Sequence, residues 1–78
     1  MDEEILKRIE INPEIMGGKP VIKGTRVTVV AILKRLEEGL EIKEILEEYP
    51  YLKKEDILAA VAYAAKVLGE EIVIPVSP

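Results

Sequence analysis

Gly39, Pro50 and Gly69 divide residues 28–68 into three amphipathic segments, and no other feature limits the possible folds so strongly. In the first segment, about Thr28 to Glu38, Val29, Ile32, Leu33 and Leu36 recur at i, i+3, i+4 and i+7, which is one face of a 3.6-residue period. Thr28 is its N-cap or first residue, and Gly39 is the left-handed stop a helix end favours. The second, about 41–49, repeats the spacing with Ile42, Ile45, Leu46 and Tyr49 until Pro50 ends it. The third runs from about Lys53 to Leu68 and closes at Gly69. Its expected core stripe is Ile57, Leu58, Val61, Ala65 and Leu68. Further alanines thin its surface, permitting close approach of another helix or a backbone. Glu55 and Asp56 suit the positive end of its dipole.

Ahead of these helices the pattern changes. Residues 5–11, Ile-Leu-Lys-Arg-Ile-Glu-Ile, end in the apolar–polar alternation of a half-buried strand. Asn12-Pro13 stops the run, because the residue before a proline is pushed away from helix. Gly17-Gly18 makes a second break, and Val21-Ile22 forms a short strand closed by Gly24. The pattern predicts an antiparallel pair, residues 6–11 against 20–23. The tail Ile72-Val73-Ile74-Pro75-Val76 is too apolar for idle coil. It reads as a strand completing the sheet or as an arm reaching onto another chain. The predicted fold is mainly α with a small β element. One domain spans 1–78: a hairpin arm and turn (1–26), a trihelical core (27–68) and an apolar tail (69–78). Short helices joined by a proline-containing turn outline a helix-turn-helix, although any small trihelical bundle shares that outline.

A core of 78 residues supplies only about 3–5 kcal/mol of net stability. With neither cysteine nor histidine there is no disulfide and no zinc set to staple it. Oligomerisation is the remaining support, so a homodimer is expected. Lack of cysteine fits a cytoplasmic protein. The acidic opening Met1-Asp2-Glu3-Glu4 is unlike a signal peptide, and no apolar run approaches the ~18 residues that span a bilayer. The richness in Glu, Lys, Ile and Val resembles a thermophile's composition. The usual general bases and soft nucleophiles are missing, so no enzyme is expected, nor a cofactor, a metal or a small-molecule substrate.

The string Asn12-Pro13-Glu14-Ile15-Met16-Gly17-Gly18-Lys19-Pro20-Val21-Ile22-Lys23-Gly24-Thr25-Arg26-Val27 closely resembles the opening of the family called domain of unknown function 433. The likeness continues through Glu44-Ile45-Leu46-Glu47-Glu48-Tyr49-Pro50, Leu52, Glu55-Asp56-Ile57 and Ala60-Val61-Ala62-Tyr63-Ala64. The resemblance implies a helix-turn-helix domain with an N-terminal β-hairpin, usually dimeric. It further implies an antitoxin that binds a PIN-like ribonuclease and represses their shared promoter. Glu41 and Lys53 depart from the Ser, Thr or Asp common at those helix starts, a loss of about 1 kcal/mol each.

Residues 15–36 hold five basic side chains, Lys19, Lys23, Arg26, Lys34 and Arg35, and no acid, within a chain of net charge −4. They are the candidate contacts to double-stranded DNA, chiefly to phosphates, with Lys53 and Lys54 at the start of the third helix, which is the recognition helix if the domain reads DNA. That helix carries no Arg, Asn or Gln to pair with base edges, and Glu55 and Asp56 repel phosphate, so sequence-specific reading is weakly supported. In Gly24-Thr25-Arg26 the glycine supplies an unusual φ and the threonine bonds local backbone. Arg26 either clamps a phosphate or partner carboxylate, or pairs with an acid such as Glu44 or Glu48. Gly17-Gly18-Lys19-Pro20 is a tight turn, since proline stands where a phosphate loop needs Ser or Thr. Tyr49, Tyr51 and Tyr63 read as core or interface packing. Ile72, Val73, Ile74 and Val76 are the candidate contacts to the ribonuclease. A protein-interaction module of the same shape without DNA binding is the alternative.

Overall fold

The computed structural model describes residues 2–69. Their order is α1 (Asp2–Leu6), β1 (Ile9–Glu10), β2 (Val21–Ile22), α2 (Val29–Glu37), α3 (Ile42–Glu48) and α4 (Lys54–Val67), with one 3₁₀ turn at Met16–Gly18 between the strands. The architecture is mainly α with a two-stranded antiparallel sheet, in which Ile9 pairs with Ile22 and Glu10 with Val21.

The strand predicted over residues 6–11 is therefore shorter, and a helix precedes it. Ile5 and Ile9 stand four residues apart, a spacing that puts them on one face of a helix as well as of a strand, and Leu6 beside Ile5 fits the helix alone. The chain takes the helix through Leu6, where α1 lies against α4, and becomes extended only at Ile9. On the far side of the sheet the chain folds back on itself. The Ile22 N–H donates to the Val27 carbonyl at 2.9 Å and the Val29 N–H to the Pro20 carbonyl at 2.9 Å, which carries β2 directly into α2.

Each break in the sequence acts as expected of its chemistry. Thr28 caps α2, its Oγ1 accepting from the Ala31 N–H at 3.0 Å. Gly39 adopts φ 92°, and the Leu40 and Gly39 amides return to the Arg35 and Leu36 carbonyls in the double closure of a Schellman motif. At α3 and α4 the unusual caps are rescued from within. The Glu44 carboxylate accepts from the Glu41 N–H, and that of Asp56 from the Lys53 N–H, each at 2.8 Å. Lysine has no acceptor to offer the helix, so at Lys53 only this half of a capping box exists.

Ile32, Ile45 and Ile57, one from each long helix, are fully buried together with Val21. Ile22, Val27, Val29, Leu52 and Ala60 complete the core, and Ile9, Leu33, Leu36, Leu40, Ile42, Leu46, Tyr49 and Tyr63 pack around it. The expected stripes of α2 and α3 face inward. That of α4 is corrected: Leu58, Val61 and Leu68 are exposed, and the inward positions beside Ile57 are Ala59 and Ala60, both at 0% exposure. Alanine faces inward because the core admits the α4 backbone closely, and the bulkier neighbours are turned out.

Candidate binding surfaces

The basic segment is built on a rigid turn. Gly24 has φ 81°, and a Cβ there would meet nothing within 4 Å, so the conformation alone selects glycine. The Ile22 carbonyl accepts both the Thr25 N–H at 2.9 Å and the Thr25 hydroxyl at 2.8 Å. The same hydroxyl accepts from the Val27 N–H at 3.0 Å. Lys23 and Arg26 are thereby presented to solvent on either side of Gly24-Thr25. Together with Tyr51 these residues line an open cleft of about 600 Å³.

Of the three tyrosines expected to pack in a core or an interface, Tyr51 lies outside the core. It sits in the turn from Tyr49 to Leu52, closed by the Leu52 N–H on the Tyr49 carbonyl at 2.9 Å, and its side chain is 63% exposed. Pro50 in the second position of that turn and buried Leu52 in the fourth leave Tyr51 at the outward apex. Its ring meets Tyr49 in a T-shaped contact, 6.3 Å between centroids. Tyr49 and Tyr63 pack against the core.

The five cations differ in what holds them. Arg35 Nε donates to Glu48 Oε1 at 3.0 Å, with a second contact from Nη2 to Oε2, and the guanidinium lies 5.5 Å from the Tyr49 ring centre. The hydrogen bond from Arg35 holds the Glu48 carboxyl below its ordinary pKa and raises Arg35's own still further. Arg35 thus ties α2 to α3 instead of facing a ligand, and Glu48 is engaged by Arg35, not by Arg26. Lys34 pairs with Glu37 on the same helix at 3.1 Å. Among the described residues Lys19, Lys23 and Arg26 join no ion pair. All three are exposed, as are Lys53 and Lys54 at the start of α4.

Asp56, expected to repel phosphate at the start of α4, is buried. It is 7% exposed, and while one oxygen caps α4 the other accepts from Arg8 Nη1 at 3.1 Å. Arg8 escaped the sequence reading because the pair spans 48 positions and no local pattern signals it.

The remaining surface of note is apolar. Leu58, Val61 and Leu68 run along the outer side of α4 at 40%, 44% and 67% exposure, with half-buried Ala62 and Ala65 among them. Where the last turn of α4 extends past the core, Pro20, Val30, Leu33, Tyr63, Val67 and Leu68 border a wholly apolar groove of about 190 Å³. Leu68 belongs to both, so stripe and groove are continuous. Ile72, Val73, Ile74 and Val76, the expected partner contacts, lie outside the described residues. Among the described residues no group of His, Cys, Asp or Glu gathers to hold a metal ion, and no helix is long and apolar enough to cross a membrane.

Comparison with known proteins adds three matches. The family model described as "Protein of unknown function (DUF433)" matches residues 9–64. An uncharacterised protein of Sinorhizobium fredii, y4eO, is 40% identical over 53 residues, which is 68% of this chain and 24% of that protein. The chain thus spans about a quarter of that relative's length. The crystal structure of a DUF433 member from Anabaena variabilis superposes with a TM-score of 0.76 at 31% identity, covering 87% of this chain and 67% of that one.

Proposed function

This chain belongs to the DUF433 family, and from that premise we propose that it is an antitoxin-like binding protein, not an enzyme, which is a homodimer when alone and neutralises a PIN-like ribonuclease by protein–protein contact. The observation that carries this reading is the outward face of α4. In a helix-turn-helix the corresponding surface enters the major groove and bears side chains able to pair with base edges. Here it bears Leu58, Val61, Ala62, Ala65 and Leu68, with its cations confined to the two ends of the helix. Small residues interleaved with branched ones suit a second helix at close range, and a contiguous exposed apolar surface favours a protein partner.

Repression of its own promoter is the lesser part of this proposal. Phosphate contacts by Lys19, Lys23 and Arg26 remain open to it, whereas the outward positions Leu58, Val61, Ala62 and Ala65 of α4 offer no side-chain donor or acceptor to a base. Co-expression with a PIN-like ribonuclease tests the main reading. The two should co-purify, and the ribonuclease should be silent in the complex. A double change, Leu58→Glu with Val61→Lys, keeps helix propensity while making the stripe polar, and should release an active ribonuclease. Co-purification undiminished by these changes removes the α4 face from the interaction.

A further inference from the structure

The cleft between the Gly-Thr-Arg turn and Tyr51 is a separate surface from the α4 stripe. We infer that it binds one nucleotide unit of a single-stranded nucleic acid, with Lys23 and Arg26 on the phosphates and the Tyr51 ring stacked on the unpaired base. The surface of the cleft suits that ligand. Its lining is two cations, a glycine, a threonine and an aromatic ring, with no acidic side chain. Neither cation joins an ion pair among the described residues, so each retains its donors for a ligand. A carboxylate or a bare phosphate would satisfy the cations and leave the ring unused. A nucleotide has an anion and a planar π-face within one small unit, which matches both.

The ring selects the unpaired strand. Tyr51 is 63% exposed at the apex of its turn, so a large part of the ring is open to a base. Bases within a duplex have their faces covered by their neighbours, and only a splayed or terminal base can stack on a side chain.

The site is also held in place before any ligand arrives. Thr25 fixes the cationic side by the bonds its hydroxyl makes to Ile22 and Val27. The aromatic side is fixed through a relay, since Glu48 holds Arg35, Arg35 lies over Tyr49, and Tyr49 abuts Tyr51. Arg35, expected from sequence to touch phosphate itself, is a positioning residue here. With the turn's backbone and the ring already in place, the ordering cost of binding falls chiefly on the Lys23 and Arg26 side chains.

Fluorescence anisotropy with a labelled single strand of about eight nucleotides, its duplex and its abasic counterpart provides the test. The full chain should bind the single strand more tightly than the duplex at the same salt. Tyr51→Ala should weaken single-strand binding roughly 10-fold and leave the abasic strand unaffected, while Tyr51→Phe retains affinity. Arg26→Ala should weaken both strands and lower the slope of log K against log salt by about 1. Circular dichroism of each variant confirms that the fold is intact. Equal affinity for the duplex, or a Tyr51→Ala protein that binds as wild type, overturns the assignment and leaves general phosphate attraction. Because the site shares no residue with the α4 stripe, loss of ribonuclease binding and loss of strand binding are separable results.

Discussion

Asp56 shows how far one side chain reaches in a chain this small. Its two oxygens bind the start of its own helix and a guanidinium from the N-terminal segment, so one carboxylate fixes both the entry to α4 and the strand-bearing arm. Removing it leaves the Lys53 amide and the half-buried Arg8 without their acceptor. Asp56→Ala should lower the free energy of unfolding by roughly 1–3 kcal/mol, combining a lost cap with an orphaned charge. Urea denaturation measures this, and an unchanged midpoint would mean the pair contributes nothing. The sequence revealed the acid in the first turn of α4 but neither its burial nor its partner. Burial depends on what the fold places above a residue, and Arg8 is brought there only by the folding of the arm. Gly24 was legible for the opposite reason. A positive φ is a local requirement, and the neighbouring Thr25 supplies its own local hydrogen bonds.

The helices divide in the same way at the scale of elements. α2 and α3 follow their periodicity, because their largest apolar residues face the core and a glycine or proline marks each end. α4 does not, because ranking residues by size selects Leu58 and Val61 over Ala59 and Ala60. Size is a poor guide where two backbones approach closely, and there a methyl group is what fits. This orientation has a simple consequence. Ala60→Leu forces three extra carbons into a filled core and should cost about 1–3 kcal/mol. Leu58→Ala, at a position 40% exposed, should cost far less. Thermal melts of the two variants decide it, and the reverse order would mean that the helix faces the other way. α1 is not legible locally because Ile5 and Ile9, four residues apart, share a face in a helix and in a strand alike, and the tie is broken only by the contact with α4. Tyr51 stays out of the core because its place one residue past Pro50, at the apex of a turn, matters more than its size.

For the whole molecule, the governing fact is that 78 residues contain no cysteine or histidine and yet leave Val30, Leu58, Val61, Val67 and Leu68 in contact with water. The folded monomer meets the polar needs of its interior completely: among the described residues no buried side-chain nitrogen or oxygen lacks a hydrogen-bond partner. Its unmet need is apolar surface, concentrated on α4 and the adjoining groove. Burying such surface yields about 25 cal/mol per Å², so pairing two copies adds stability that a small core cannot supply alone. A second copy and the ribonuclease would then compete for this face, so that capture of the ribonuclease separates the dimer. Sedimentation equilibrium over a range of concentrations tests this most directly, comparing the wild-type chain with the Leu58→Glu, Val61→Lys variant. The wild type should sediment at twice its chain mass of 8.7 kDa, and the variant at the single-chain mass with its helical spectrum preserved. A wild type that stays monomeric throughout, or a variant that remains dimeric, would contradict the assignment of α4 as the interface.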